Sequence, residues 1–162
     1  MFFVLYIFYK GKFIKAKHYP ISMKIKEIMH GVTKVPSGTT VSGAAKLMDK
    51  KVIGSVLIEE DGSVIGIMTE RDILRKVVAK GKNPEEVRAE DIMSWPIITI
   101  DASEDIAEAS RKFEQHKIRR LIVTEKGQIT GIVTANSIAK NIKYILTRGS
   151  FITHEEYTRP EY

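Results

Sequence analysis

The sequence predicts an α/β fold of the α+β type, made of two pseudo-symmetric units that each run strand, helix, strand, strand, helix. Two observations carry this reading. The stretch Gly66-Ile67-Met68-Thr69-Glu70-Arg71-Asp72-Ile73 returns, altered, 65 residues later as Gly131-Ile132-Val133-Thr134-Ala135-Asn136-Ser137-Ile138. The same offset relates Val41 to Ile106, Ala44 to Ala109, Met48 to Phe113, Ile53 to Ile118, Val56 to Leu121 and Gly62 to Gly127. Slightly upstream, Ile28-Met29 matches Ile92-Met93 at an offset of 64, so one residue was gained or lost in between. Two copies of so short a unit are expected to fold as one body, with the surface between them the first place to look for a site.

The elements follow in chain order. Val41, Ala44, Ala45 and Met48 fall at i, i+3, i+4 and i+7, one face of a helix, with Thr40 as its N-cap. Ser55-Val56-Leu57-Ile58 and Val64-Ile65-Gly66-Ile67-Met68 read as strands. Asp61-Gly62 lies between them, a pair suited to a tight hairpin because glycine accepts positive φ. A second helix follows Thr69, with Ile73, Leu74, Val77 and Val78 as its predicted buried face. In the second copy Ile106, Ala109, Ser110 and Phe113 repeat the first helix, and Asp105 with Glu108 has capping-box spacing. Leu121-Ile122-Val123 and Ile129-Thr130-Gly131-Ile132-Val133 are its strands, on either side of Lys126-Gly127. Ile138, Ile142 and Ile145 give the stripe of the last helix. Strands this apolar need helices over at least one face.

These patterns divide the chain into an N-terminal extension (1–22), a first unit (23–81), a linker (82–87), a second unit (88–146) and a polar tail (147–162). Lys80-Gly81-Lys82-Asn83-Pro84-Glu85-Glu86 makes the connection polar and breaks it with glycine and proline.

The net charge is +6, but residues 1–22 hold four lysines and no acid, which leaves +2 for the remainder. A repeated body so near neutrality disfavours general binding to a nucleic-acid backbone. The apolar run Met1–Tyr9 is far shorter than the roughly 20 residues a spanning helix needs. Its charges follow it, the reverse of a signal peptide. It reads as a strand, as an adherent surface segment, or as sequence upstream of a start at Met23. There is no cysteine, which excludes disulfides, thiolate metal sites and a cysteine nucleophile, and suits a reducing, cytoplasmic setting. His18, His30, His116 and His154 lack the paired spacing of metal ligands. No Walker, dinucleotide or nucleophile-elbow pattern occurs, so catalysis is not expected.

The Ile-Met before each first strand, the order of elements, and Gly-Ile-Met-Thr-Glu-Arg-Asp-Ile-Leu in copy one resemble a pair of cystathionine β-synthase (CBS) domains over about residues 24–146. The resemblance implies a regulatory module whose two units pack sheet to sheet, bind adenosine-containing ligands in the clefts between them, and often dimerise into a disc.

Thr69 and Asp72 sit at a strand-to-helix junction, where free N–H groups favour an anion. An ionised Asp can accept two hydrogen bonds from a vicinal diol. The same Thr-x-x-Asp spacing also describes a capping box, and both roles can coexist. Ile118-Arg119-Arg120 opens the second strand of copy two, and strand alternation turns one of the two arginines more directly toward the cleft. Arginine's planar fork suits phosphate oxygens, while a solvated edge or pairing with Glu108 or Glu114 is the plainer alternative. By the resemblance, Asp72 would hold ribose and Thr69 would lie beside ribose and phosphate. Arg119 and Arg120 would reach the phosphates, and Met68, Ile97, Ile98 and Ile118 would flank adenine, with Arg71 in the same motif.

At the partner site Gly54-Ser55 replaces Arg119-Arg120 and Ser137 replaces Asp72. Ser55, Thr134 and Ser137 are therefore expected to form a second, weaker site without ribose carboxylate or phosphate arginines. The ligand expected is AMP, ADP or ATP, with S-adenosylmethionine as the rival, and a scaffold or nucleic-acid role for the basic tail as the other alternative. No prosthetic cofactor or metal is expected. A homodimer and a separate regulated protein are the expected partners.

Overall fold

The computed structural model describes residues 6–9, 12–15 and 23–141. Strands β1 (Tyr6–Tyr9) and β2 (Lys12–Lys15) pair antiparallel, Tyr6 opposite Lys15, so part of the N-terminal run is a strand. The rest of the extension, Ile142, Ile145 and the tail lie outside the described residues.

The first unit contains β3 (Lys34–Pro36), α1 (Val41–Lys51), β4 (Ser55–Glu60), β5 (Ser63–Thr69) and α2 (Glu70–Lys76). A short helix α3 (Ala89–Ile92) leads into β6 (Thr99–Asp101), α4 (Ile106–His116), β7 (Arg120–Glu125) and β8 (Gln128–Thr134). Residues 135–141 then begin α5. Each unit has a three-stranded sheet, ordered β3-β4-β5 and β6-β7-β8, with one parallel and one antiparallel pairing. Both hairpin turns have two positive-φ residues, Asp61-Gly62 and Lys126-Gly127, as a type I′ turn requires. Thr40 caps α1 by accepting from Gly43 N at 3.1 Å. Asp105 accepts from Glu108 N at 2.9 Å, but the Glu108 carboxylate turns to Arg111, so only half the expected capping box forms.

The two cores exchange their lead-in segments. Ile25 and Ile28 are buried with Ile100, Ile106, Leu121 and Val133 of the second unit. Ala89 and Ile92 are buried with Val41, Val56, Met68 and Val77 of the first. Four backbone bridges repeat the exchange symmetrically: Lys24 with Asp105 and Arg88 with Thr40, then His30 with Ile132 and Ser94 with Ile67. The repeat boundary in the chain therefore does not coincide with the boundary between cores. The one-residue change of offset falls between Ser94 and β6, where Trp95-Pro96-Ile97 stand against Gly31-Val32 in the first copy.

The glycines of the repeated motif serve this crossing, not a turn. A Cβ on Gly131 would lie 2.8 Å from the His30 carbonyl oxygen. One on Gly66 would collide with Met93 Sδ and lie 3.1 Å from the Ser94 carbonyl oxygen.

One expectation for the first unit is corrected. Leu74 and Val78 are exposed, while Val77 is buried and Ile73 half-buried. Ile73 and Val77 share a stripe at i, i+4, and α2 stops at Lys76, so Leu74 and Val78 fall on the outer side. In the second unit Ile97 and Ile98 lie just before β6, where Ile98 O accepts from Ile122 N at 3.0 Å.

Candidate functional site

Both strand-to-helix junctions are held against the start of the neighbouring strand in their own sheet. Glu70 N donates to Gly54 O at 3.2 Å, and Ala135 N donates to Arg119 O at 3.0 Å. The lead-in of copy one, pinned at His30, closes the space between the junctions on one side. The result is a cavity of about 670 Å³ between the units. Thr33, Ser55 and Thr134 give it hydroxyls, Ile53, Val56 and Ile132 an apolar wall, and Arg119, Arg120 and Glu70 its charges. This is within the roughly 300–1,000 Å³ of small-molecule sites.

Ser55 and Thr134, predicted for the weaker site, line this cavity, but so do both arginines. The expected loss of cationic groups at that site is thus corrected. Arg119 and Arg120 stand where the two units meet, and an arginine side chain is long enough to cross the pseudo-symmetry axis. The repeat offset maps this lining onto Ile98, Ile118, Arg119, Arg120, Thr69 and Arg71, the residues assigned from sequence to the principal site. Both arginines line the cavity on the Ser55 and Thr134 side, which Thr69 and Asp72 do not line.

Arg120 crosses to the first unit over Gly54. Its Nη2 lies 3.6 Å from Glu70 Oε2, with the arginine side chain 21% exposed and the glutamate 70%. A Cβ on Gly54 would collide with Arg120 Nη2 and lie 2.7 Å from Glu70 Oε2, so glycine is what leaves room for the crossing. Burial is the main force pulling the Arg120 pKa down; Glu70 opposes it, Arg119 and Arg71 add to it, and Asp72 opposes it. Arginine nonetheless stays charged. The sequence alternatives for these arginines, Glu108 and Glu114, are not used: Glu108 pairs with Arg111. Among the described residues, neither Arg71 nor Arg119 has a carboxylate within ion-pair distance.

Thr69 and Asp72 form a capping box. Asp72 Oδ2 accepts from Thr69 N at 3.0 Å and from Thr69 Oγ1 at 2.6 Å, and Thr69 Oγ1 accepts from Asp72 N at 3.3 Å. Asp72 Oδ1 pairs with Lys76 Nζ at 3.0 Å, leaving the aspartate side chain 11% exposed. The capping reading is realised, and it leaves acceptor capacity on Oδ1. Ser137 reproduces the cap in copy two: it is buried, its Oγ accepts from Thr134 N at 3.0 Å, and its N donates to Thr134 Oγ1 at 3.0 Å. It does not line the cavity. Met68 is corrected to a core residue, fully buried on the helix-covered face of β5. Ile98 and Ile118 are half-buried against the core of the second unit.

Glu70 escaped the sequence reading, and Gly54 was read only as the loss of an arginine, not as the gap that lets Arg120 cross. The signal was present: glycine at one position and arginine at its repeat mate leaves a gap opposite a long side chain.

A family model for the CBS domain matches residues 25–79 and 89–144. The chain belongs to the CBS-domain family. An uncharacterized protein of Methanopyrus kandleri is 40% identical over 71% of this chain, which spans 59% of that relative's length. The crystal structure of an uncharacterized conserved protein from Pyrococcus horikoshii matches with a TM-score of 0.69 at 27% identity, covering 89% of this chain and 99% of that one. A hexameric CBS-CP12 protein from bloom-forming cyanobacteria matches with a TM-score of 0.69 at 31% identity, over 74% of this chain and 68% of that one. The chain is thus a tandem CBS regulatory module, and no helix among its described residues is long and apolar enough to cross a membrane.

Proposed function

We propose that this CBS pair is a sensor that binds an adenine nucleotide, AMP, ADP or ATP, in the clefts between its units and signals by changing their relative pose. The observation that carries the reading is the inter-unit cavity with Arg119 and Arg120 on its wall. Two arginines beside hydroxyls and an apolar wall offer a phosphate, a sugar and a base their respective partners. On the Asp72 side, Thr69 and the remaining acceptor of Asp72 meet the ribose, Ile97, Ile98 and Ile118 flank the base, and Arg71 adds charge. A ligand shifts the pose only by its differential affinity for the two states, typically about 1–3 kcal/mol of coupling.

The output passes to a separate protein or through self-association. The exposed apolar residues Val52, Leu74 and Val78 support a homodimer, and the hexameric relative supports assembly in general.

The test is a thermal-shift screen with AMP, ADP, ATP, S-adenosylmethionine and adenosine on the parent and on Asp72→Ser. Serine is the residue copy two itself uses at this position, so the substitution keeps the cap and removes only the carboxylate. The reading predicts that an adenine nucleotide raises the melting temperature of the parent by mass action, and less so that of Asp72→Ser. Stabilisation by S-adenosylmethionine alone would assign the clefts to a ligand without phosphate. No shift with any ligand at millimolar concentration would sink the sensor reading.

A further inference from the structure

We propose that Glu70 is a specificity-determining residue: its carboxylate is the resident counter-ion of Arg120, and a ligand enters productively only by replacing it with a stronger anion. The inference rests on the adenine-nucleotide reading and adds a residue and a selection rule to it.

Glu70 and Arg120 come from different units, and Gly54 leaves the space in which their heads meet. Both residues line the inter-unit cavity. They also line a second cavity of about 630 Å³, shared with Met48, Ile73, Leu74 and Val78 between α1 and α2, so the pair stands on the wall between the two spaces. The partners are unequal. Arg120 is mostly enclosed, whereas Glu70 is largely in water, and the contact is a single one at 3.6 Å. An exposed carboxylate that leaves such a contact recovers its hydration at little cost. The partly enclosed Arg120 guanidinium recovers less of its hydration, so it is better satisfied by another anion. A phosphate can satisfy it with two parallel hydrogen bonds, which a longer, single-contact carboxylate does not match. Arg119 and Arg71, without a carboxylate of their own among the described residues, then add attraction for a multiply charged group. Uncharged nucleosides leave the pair in place and gain nothing from Arg120, so Glu70 selects among anionic ligands, favouring those charged strongly enough to displace it.

The experiment is calorimetric titration of AMP, ATP and adenosine into the full-length parent, Glu70→Gln and Glu70→Ala. Circular dichroism checks that the variants fold, and the exposure of Glu70 makes either substitution tolerable. Both variants should bind AMP and ATP roughly threefold to tenfold more tightly than the parent, the effect of removing one weak competing pair. Their affinity for adenosine should be unchanged. Nucleotide binding that is equal in parent and variants overturns the role of Glu70 and leaves the sensor reading standing. Variants that bind the nucleotides more weakly show Glu70 to be a ligand contact, which also overturns the proposal. Absence of nucleotide binding to all three proteins overturns both readings together.

Discussion

His30 and Ile132 exchange two backbone hydrogen bonds, each 2.9 Å long, across more than a hundred residues of chain. The contact gives the outer strand of the second sheet a neighbour from the beginning of the first repeat. Ser94 and Ile67 do the same for the first sheet, at 2.8 and 3.1 Å.

The close approach makes Gly131 the less forgiving of the two motif glycines. A methyl there meets the His30 backbone oxygen, which cannot move without disturbing the bridge, whereas a methyl on Gly66 first meets the flexible end of Met93. Gly131→Ala is expected to lose about 1–3 kcal/mol in urea unfolding, and Gly66→Ala less. Equal losses would show that the carbonyl yields as easily as the thioether and would overturn this ranking.

Ile25 belongs to the first unit in sequence but is buried in the core of the second. Ile25→Ala should cost about 2–5 kcal/mol. In native-state hydrogen exchange its weakened protection should appear first in β7 and β8, not in β4 and β5. Ile92→Ala should show the opposite pattern, because Ile92 belongs to the first core. Protection lost within the residue's own repeat would contradict the exchange.

Val52 ends α1 in the left-handed conformation, with φ 54° and ψ 46°, and is 92% exposed. A β-branched residue is strained there and gains no burial in return. Val52→Gly should therefore raise stability by about 1 kcal/mol, read as a higher denaturation midpoint at unchanged slope. The equivalent residue in copy two, Lys117, has φ 55° without a branch at Cβ, so Lys117→Gly should gain less. If Val52 covers a dimer face, the gain will be offset by weaker self-association, which sedimentation can detect.

Much of this protein was legible in the linear chain. The 65-residue offset requires two like units, because equal patterns of apolar spacing bury equal faces. The hairpin turns and the first helix of each unit follow from local chemistry at Asp61-Gly62, Lys126-Gly127, Thr40 and Asp105, where neighbouring residues decide the backbone. Even the Thr69–Asp72 contact was readable as a cap, since it spans three residues.

What tertiary structure alone decided is everything that depends on which chain segment crosses to which core. That includes the exchange of Ile25 and Ile92 between units, the burial of Met68, the outward placement of Leu74 and Val78, and the meeting of Arg120 with Glu70 over Gly54. Periodicity specifies which face of an element is apolar, but not which partner covers it. The two repeats are nearly equivalent in pattern, so each lead-in segment could in principle have closed its own unit. Only packing in three dimensions selects the crossed arrangement, and with it the arginines on the wall of the cavity between the units.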